Sequence, residues 1–201
     1  MGAPTKTEVT LLASTFRGTG AQPEVGTAVD VTGMHYIGLT GWIGRLSGTA
    51  HASPWATLLL EGNTSATDDS MWEPIPDASF TMAPGASIAN TTLNGAVSAN
   101  ATTIVVASAT NIAAGDLLFL SHGLSTANYE VVRVASVSGT TITVDDKVVF
   151  AHDSGAAVTD QAEHYCIPAL SVVGLSRIRA KIINQSGQTI TARMHGIKTV
   201  V

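Results

Sequence analysis

Runs of β-branched residues separated by turn formers recur along almost the whole chain, and they constrain its fold more than any other feature. The longest segment free of glycine and proline, Ala96 to Ala114, still carries Thr102-Thr103-Ile104-Val105-Val106. Such a series restricts χ1 and favours strand over helix. Elsewhere clusters of Gly, Asn, Asp and Ser cut the chain into strand-length pieces. The pattern predicts an all-β protein. Composition removes the main alternatives. With 45% hydrophobic residues and a net charge of −5, the chain is not disordered. With only 12% charged residues it cannot supply the e and g positions of a coiled coil. It holds no run of about 20 apolar residues, so no membrane-spanning helix is expected. A length of 201 residues admits one large β domain or two small ones.

Several strands can be placed. Glu8 to Ser14 sets Val9 and Leu11 on one face. His35 to Leu46 sets Ile37, Leu39 and Ile43 on one face and Tyr36, Trp42 and Leu46 on the other, which reads as a strand covered on both sides. Trp55 to Glu61 follows, then a polar loop from Gly62 to Ser70, and Trp72 to Pro76 resumes the chain. From Pro84 to Glu163 the texture becomes rich in Ala, Thr and Val. Thr102–Ala107, Asp116–Ser121, Tyr129–Val137 and Thr140–Asp145 read as four strands of an inserted, barrel-like module. Ser138-Gly139 joins the last two as a tight hairpin. Ile104, Val106, Leu118, Leu120, Val132, Val134, Ile142 and Val144 are its expected core. The division is therefore 1–83 plus 164–201 for a discontinuous β-sandwich, with 84–163 inserted.

The clearest alternation lies near the C-terminus. Arg177 to Ile182, a turn at Asn184-Gln185-Ser186-Gly187, and Thr189 to His195 read as a hairpin. Its apolar face holds Ile178, Ala180, Ile182, Ile190, Ala192 and Met194. Its polar face holds Arg177, Arg179, Lys181, Arg193 and His195, the candidate partner-binding residues. Charge segregation supports that choice. Residues 164–201 carry five Lys and Arg and no acid, hence +5; residues 1–163 carry five against 15 acids, hence −10. Such asymmetry marks a docking face.

No catalytic constellation is present, so no enzyme activity, metal or cofactor is expected. The six histidines (His35, His51, His122, His152, His164, His195) lack the spacing of a zinc motif. Asp68-Asp69 and Asp145-Asp146 read as turn formers and lack the alternating ligands of a calcium loop. Gly38, Gly41 and Gly44 precede no helix, so they read as close-packing or bulge positions rather than a phosphate loop. The single Cys166 reads as a buried, inert thiol, with His164 assigned to the opposite face. Trp42, Trp55 and Trp72 read as core, or alternatively as a sugar-stacking platform. A sequence pI of about 5.6 opposes nucleic-acid binding. The first residues, Met1 to Lys6, lack the apolar core of a signal peptide, and Lys6 departs from the myristoylation pattern. Folding in a host cytoplasm is the expectation, with this arm extended until it meets a partner.

Val9-Thr10-Leu11-Leu12-Ala13-Ser14, Ala28-Val29-Asp30-Val31-Thr32-Gly33 and Thr57-Leu58-Leu59-Leu60-Glu61-Gly62-Asn63 come first along the chain. A polar loop, Met71-Trp72-Glu73-Pro74-Ile75-Pro76 and Ser176-Arg177-Ile178-Arg179-Ala180-Lys181 complete the series. This order resembles head-decoration (cement) proteins of tailed bacteriophages and related virion proteins with a jelly-roll-like β-sandwich. Ala101 to Val106, Ala113-Ala114-Gly115-Asp116, Glu130 to Val134 and Ser138 to Val144 resemble a small β module of phage tail and capsid-associated proteins. The resemblance implies a virion structural protein on the capsid surface. Its partners would be the major capsid protein and copies of itself, as a trimer, without membrane or nucleic acid. Two other occupations remain: a neck, tail or baseplate component, and a carbohydrate-binding receptor module.

Overall fold

The computed structural model describes residues 5–17, 23–45, 56–82, 89–121, 128–186 and 189–200. Among them the chain forms strands and no helix. The strands are β1 (Thr5–Arg17), β2 (Glu24–Val25), β3 (Val29–Asp30), β4 (Tyr36–Arg45), β5 (Ala56–Asn63) and β6 (Glu73–Thr81). Next come β7 (Asn90–Thr92), β8 (Thr103–Val105), β9 (Leu117–Leu120), β10 (Glu130–Ser138), β11 (Thr141–Val144) and β12 (Ala157–Thr159). The last are β13 (Ala162–Ser171), β14 (Arg177–Asn184) and β15 (Ile190–Val200).

The protein is all-β, as its sequence predicts. Two sheets form a sandwich: β1-β15-β4-β13 on one side and β2-β14-β5-β6 on the other, with β3 also paired to β14. Between them lie Leu11, Ile37, Leu39, Ile43, Leu58, Leu60, Ile178, Ala180, Ile182, Ile190, Ala192 and Met194, all buried. Tyr165 stacks on Phe80 at 4.1 Å between ring centroids and closes one end of this core. Prolines occupy sheet edges, Pro74 and Pro76 on β6 and Pro168 on β13, where a missing N–H breaks no ladder. β1 is longer than expected at both ends, and Lys6, assigned to a free arm, pairs with Thr199.

The remaining strands form a six-stranded sheet in the order β7-β12-β9-β10-β11-β8. Its two ends meet: Leu93 bridges Val106, and the amides of Asn94 and Ala107 donate to the carbonyls of Val105 and Thr92 at 2.8 and 2.9 Å. The sheet thus curls onto itself, which removes two exposed edges. The eight residues expected in its core share one buried cluster. The β10–β11 turn is displaced by one residue from Ser138-Gly139. Ser138 pairs with Thr141, leaving Gly139-Thr140 as the loop, with Gly139 at φ 59°. The expected boundary at residue 84 falls outside the described residues, and β13 runs across the one at 163.

One expectation fails in a way that matters for function. β14 and β15 are not a hairpin in one sheet; they belong to opposite sheets of the sandwich. Their apolar faces do share a core, but they approach it from two sides. Alternation dictates which face of a strand is buried. It does not say whether the next strand pairs at its edge or packs across the core. Consequently Arg177, Arg179 and Lys181 leave one outer surface of the sandwich, and Arg193 and His195 leave the other.

Candidate functional site

On the β14 surface the cations are already partnered. Glu61 stands opposite Arg179 in the β5–β14 register, and its side chain is only 4% exposed. Its Oε2 accepts from Arg179 Nε at 2.8 Å, and its Oε1 accepts from Lys181 Nζ at 2.6 Å. Burial pushes this carboxyl up, but the hydrogen bonds and charges of Lys181 and Arg179 outweigh it and hold it below the ordinary value. Arg177 reaches Asp69 at 2.9 Å and the carbonyls of Ser65 and Asp68 at 3.0 and 3.2 Å. The polar loop is itself ordered by side chains. Asn63 Oδ1 accepts from the Ser65 amide, and Asp68 Oδ1 accepts from the amide and hydroxyl of Ser70. Asp68 is thus the turn former expected, whereas Asp69 is an ion-pair partner. Trp72 lies under both guanidinium groups, 5.0 Å from Arg177 and 4.2 Å from Arg179, and its indole N–H donates to Asp69. Its ring is therefore already engaged by arginines.

The opposite surface is different. Direct strand partners share a face, so the register fixes its layout. One row reads Cys166–Thr40–His195–Thr10, and the next reads His164–Trp42–Arg193. His164 and Cys166 are two residues apart on β13 and share this outer face, correcting their assignment to opposite faces. Cys166 is exposed, not buried, because its side of β13 points away from the core. Glu8, Thr40, Trp42, His164, Arg193 and His195 line a cleft of about 230 Å³. Arg193 Nε donates to His195 Nε2, and His195 Nδ1 lies 3.1 Å from Glu8 Oε1. Burial and the Arg193 charge lower the pKa of His195, with Glu8 opposing them.

Trp42 is buried from its other side by the inserted module. Its ring centroid is 5.7 Å from that of Phe119, which stacks on Tyr129 at 5.8 Å. Trp55, His51 and His122 lie outside the described residues. Of the three tryptophans proposed as a sugar platform, the two described ones thus stand on different surfaces.

A buried polar group inside the module escaped the sequence reading. His152, 2% exposed, places Nε2 2.6 Å from Glu130 Oε1 and Nδ1 2.7 Å from the carbonyl of Ser121. Glu130 also accepts from the amides of Val149 and Phe150. Although the set contains Ser, His and Glu, it is no nucleophile triad. The Ser121 hydroxyl accepts from the Ala157 amide, and only the Ser121 carbonyl faces the imidazole. The group latches the 147–152 segment to β9 and β10. No signal in the sequence joins His152 to a glutamate 22 residues away.

No protein-family model and no curated protein sequence matches the chain. Three solved structures show limited similarity. The Gp54 tailspike of Acinetobacter baumannii bacteriophage AP22, in complex with A. baumannii capsular saccharide, matches at 24% identity and a TM-score of 0.33, over 38% of this chain and 15% of that one. The SPBc2 prophage-derived protein YomS matches at 12% identity and a TM-score of 0.32, over 100% of this chain and 97% of that one. The structure of infectious bursal disease virus Gx strain matches at 9% identity and a TM-score of 0.26, over 98% of this chain and 41% of that one. At such scores the fold assignment rests on the strand pairings above and not on these likenesses.

Proposed function

We propose that the chain is a bacteriophage virion structural protein that decorates and stabilises the capsid, docking on the major capsid protein as a symmetric trimer. The observation that carries this reading is the outer face of β1-β15-β4-β13. At one end of that face Tyr36 and Ile197 are 58% and 49% exposed, on neighbouring strands β4 and β15. An exposed aromatic beside an exposed aliphatic side chain is suited to burial against a protein. The face is a paired sheet backed by a buried core, so ordering it on docking costs little, and threefold repetition multiplies weak contacts.

The test is to mix the purified protein with undecorated heads and sediment them. Co-migration in a fixed stoichiometry is expected, and Tyr36→Asp with Ile197→Asp should lower occupancy at least tenfold while circular dichroism is unchanged. Protein that stays in the supernatant overturns the reading. A label found on neck, tail or baseplate in virion images would replace it with the tail reading.

A further inference from the structure

We propose that the cleft on the outer face of the four-stranded sheet binds a carboxylate-bearing saccharide, with Arg193 taking the carboxylate. Every Asp and Glu of the chain is among the described residues, yet Arg193 has none within ion-pair distance. Arg177 and Arg179, by contrast, each hold a carboxylate. The hydrogen-bond partner of Arg193 is His195, which engages only Nε. Both terminal amino groups therefore remain for a ligand, and a guanidinium fork matches a carboxylate in bidentate geometry.

The rest of the cleft fixes the ligand class. Because Arg193 Nε donates, His195 Nε2 must accept, so the proton sits on Nδ1, facing Glu8. The bond from Arg193 Nε to His195 orients the guanidinium before any ligand arrives. It also leaves the site with one firm cation and one carboxylate. Glu8 would repel a phosphate dianion, whereas a monoanion bearing hydroxyls suits both charges. Glu8, Thr40 and the exposed His164 offer acceptors and donors for sugar hydroxyls. Trp42 lies between His164 and Arg193 in register and supplies an apolar wall. His164 and Arg193 stand two strand spacings apart, roughly 10 Å. The cleft volume of about 230 Å³ equals several waters, each with a share of about 30 Å³, which suits one sugar residue and not a bare ion.

The experiment is a nuclear magnetic resonance titration of the full chain with glucuronate, methyl glucoside and inorganic phosphate in parallel. Glucuronate should shift the Trp42 indole N–H and the His164 and His195 ring signals saturably. Methyl glucoside and phosphate should bind at least tenfold more weakly. Arg193→Gln should lose tenfold or more, and His164→Gln, at an exposed position outside the core, should weaken binding with the fold intact. Arg193→Lys, which keeps the charge but not the fork, should fall between wild type and Arg193→Gln. Equal affinity for phosphate would reduce the cleft to an oxyanion site and overturn the saccharide assignment. Equal affinity for methyl glucoside would overturn the role of Arg193, and no saturable shift would overturn the site.

Discussion

Glu61 shows what a single residue does in this fold. Its carboxylate is removed from water and survives as an anion because two cations of β14 donate to it. Glu61→Ala would strand Arg179 and Lys181 beside a desolvated space. A loss of about 3 kcal/mol is expected, measured as a shift in the urea midpoint at constant slope. The same pair predicts a pH response. Its folded pKa lies below the ordinary 4.5, so its stabilisation is complete above that value and is lost as pH falls through the folded pKa. The wild type should therefore lose stability below about pH 4.5 by an increment that Glu61→Gln lacks; equal acid sensitivity in both proteins would contradict it. The sequence places Glu61 at the end of an apolar strand but not beside Arg179, 118 residues away. Burial alternation is a local signal, whereas ion pairing across a sheet depends on which strands become neighbours.

Individual elements were readable in proportion to how local their pairing is. β8 to β11 lie close along the chain and pair largely through short connections. Their inward residues and their joint core follow directly from period-2 alternation. β14 and β15 are also adjacent in the chain and equally regular, yet each pairs with a distant strand instead. Their basic residues therefore do not add up to one docking surface. Charge reversal at Arg177 and Arg179, two of the candidate partner-binding residues, therefore bears on stability. Arg177→Glu with Arg179→Glu should place like charges against Glu61 and Asp69 and release Trp72. A loss of at least about 2 kcal/mol and a red-shifted Trp emission are the expected readouts. An unchanged urea midpoint would mean that the network contributes nothing.

At the scale of the whole molecule, the described residues form two separate buried cores joined by a third cluster of Trp42, Phe119, Tyr129 and Ala162. That small cluster, together with the hydrogen bonds of Arg45 to Thr159 and Gln161, ties the sandwich to the module. It depends on Gly44, because a Cβ there would stand within 3.0 Å of three ring carbons of Phe119, closer than any real contact. The strand-interior glycine is thus a close-packing position, as its place in β4 suggested; which ring packs on it was not legible, since Phe119 belongs to β9, far along the chain. Gly44→Ala must push the Phe119 ring away from Trp42, an overpacking cost of about 1–3 kcal/mol. Each kcal/mol lowers the midpoint of a chain this size by roughly 2–4 °C. The wild type should unfold in one calorimetric transition. Gly44→Ala should unfold earlier and in two, with hydrogen exchange faster at Trp42 and Tyr129 than within either core. A single transition at an unchanged midpoint would show that the two cores are coupled by something other than this aromatic contact.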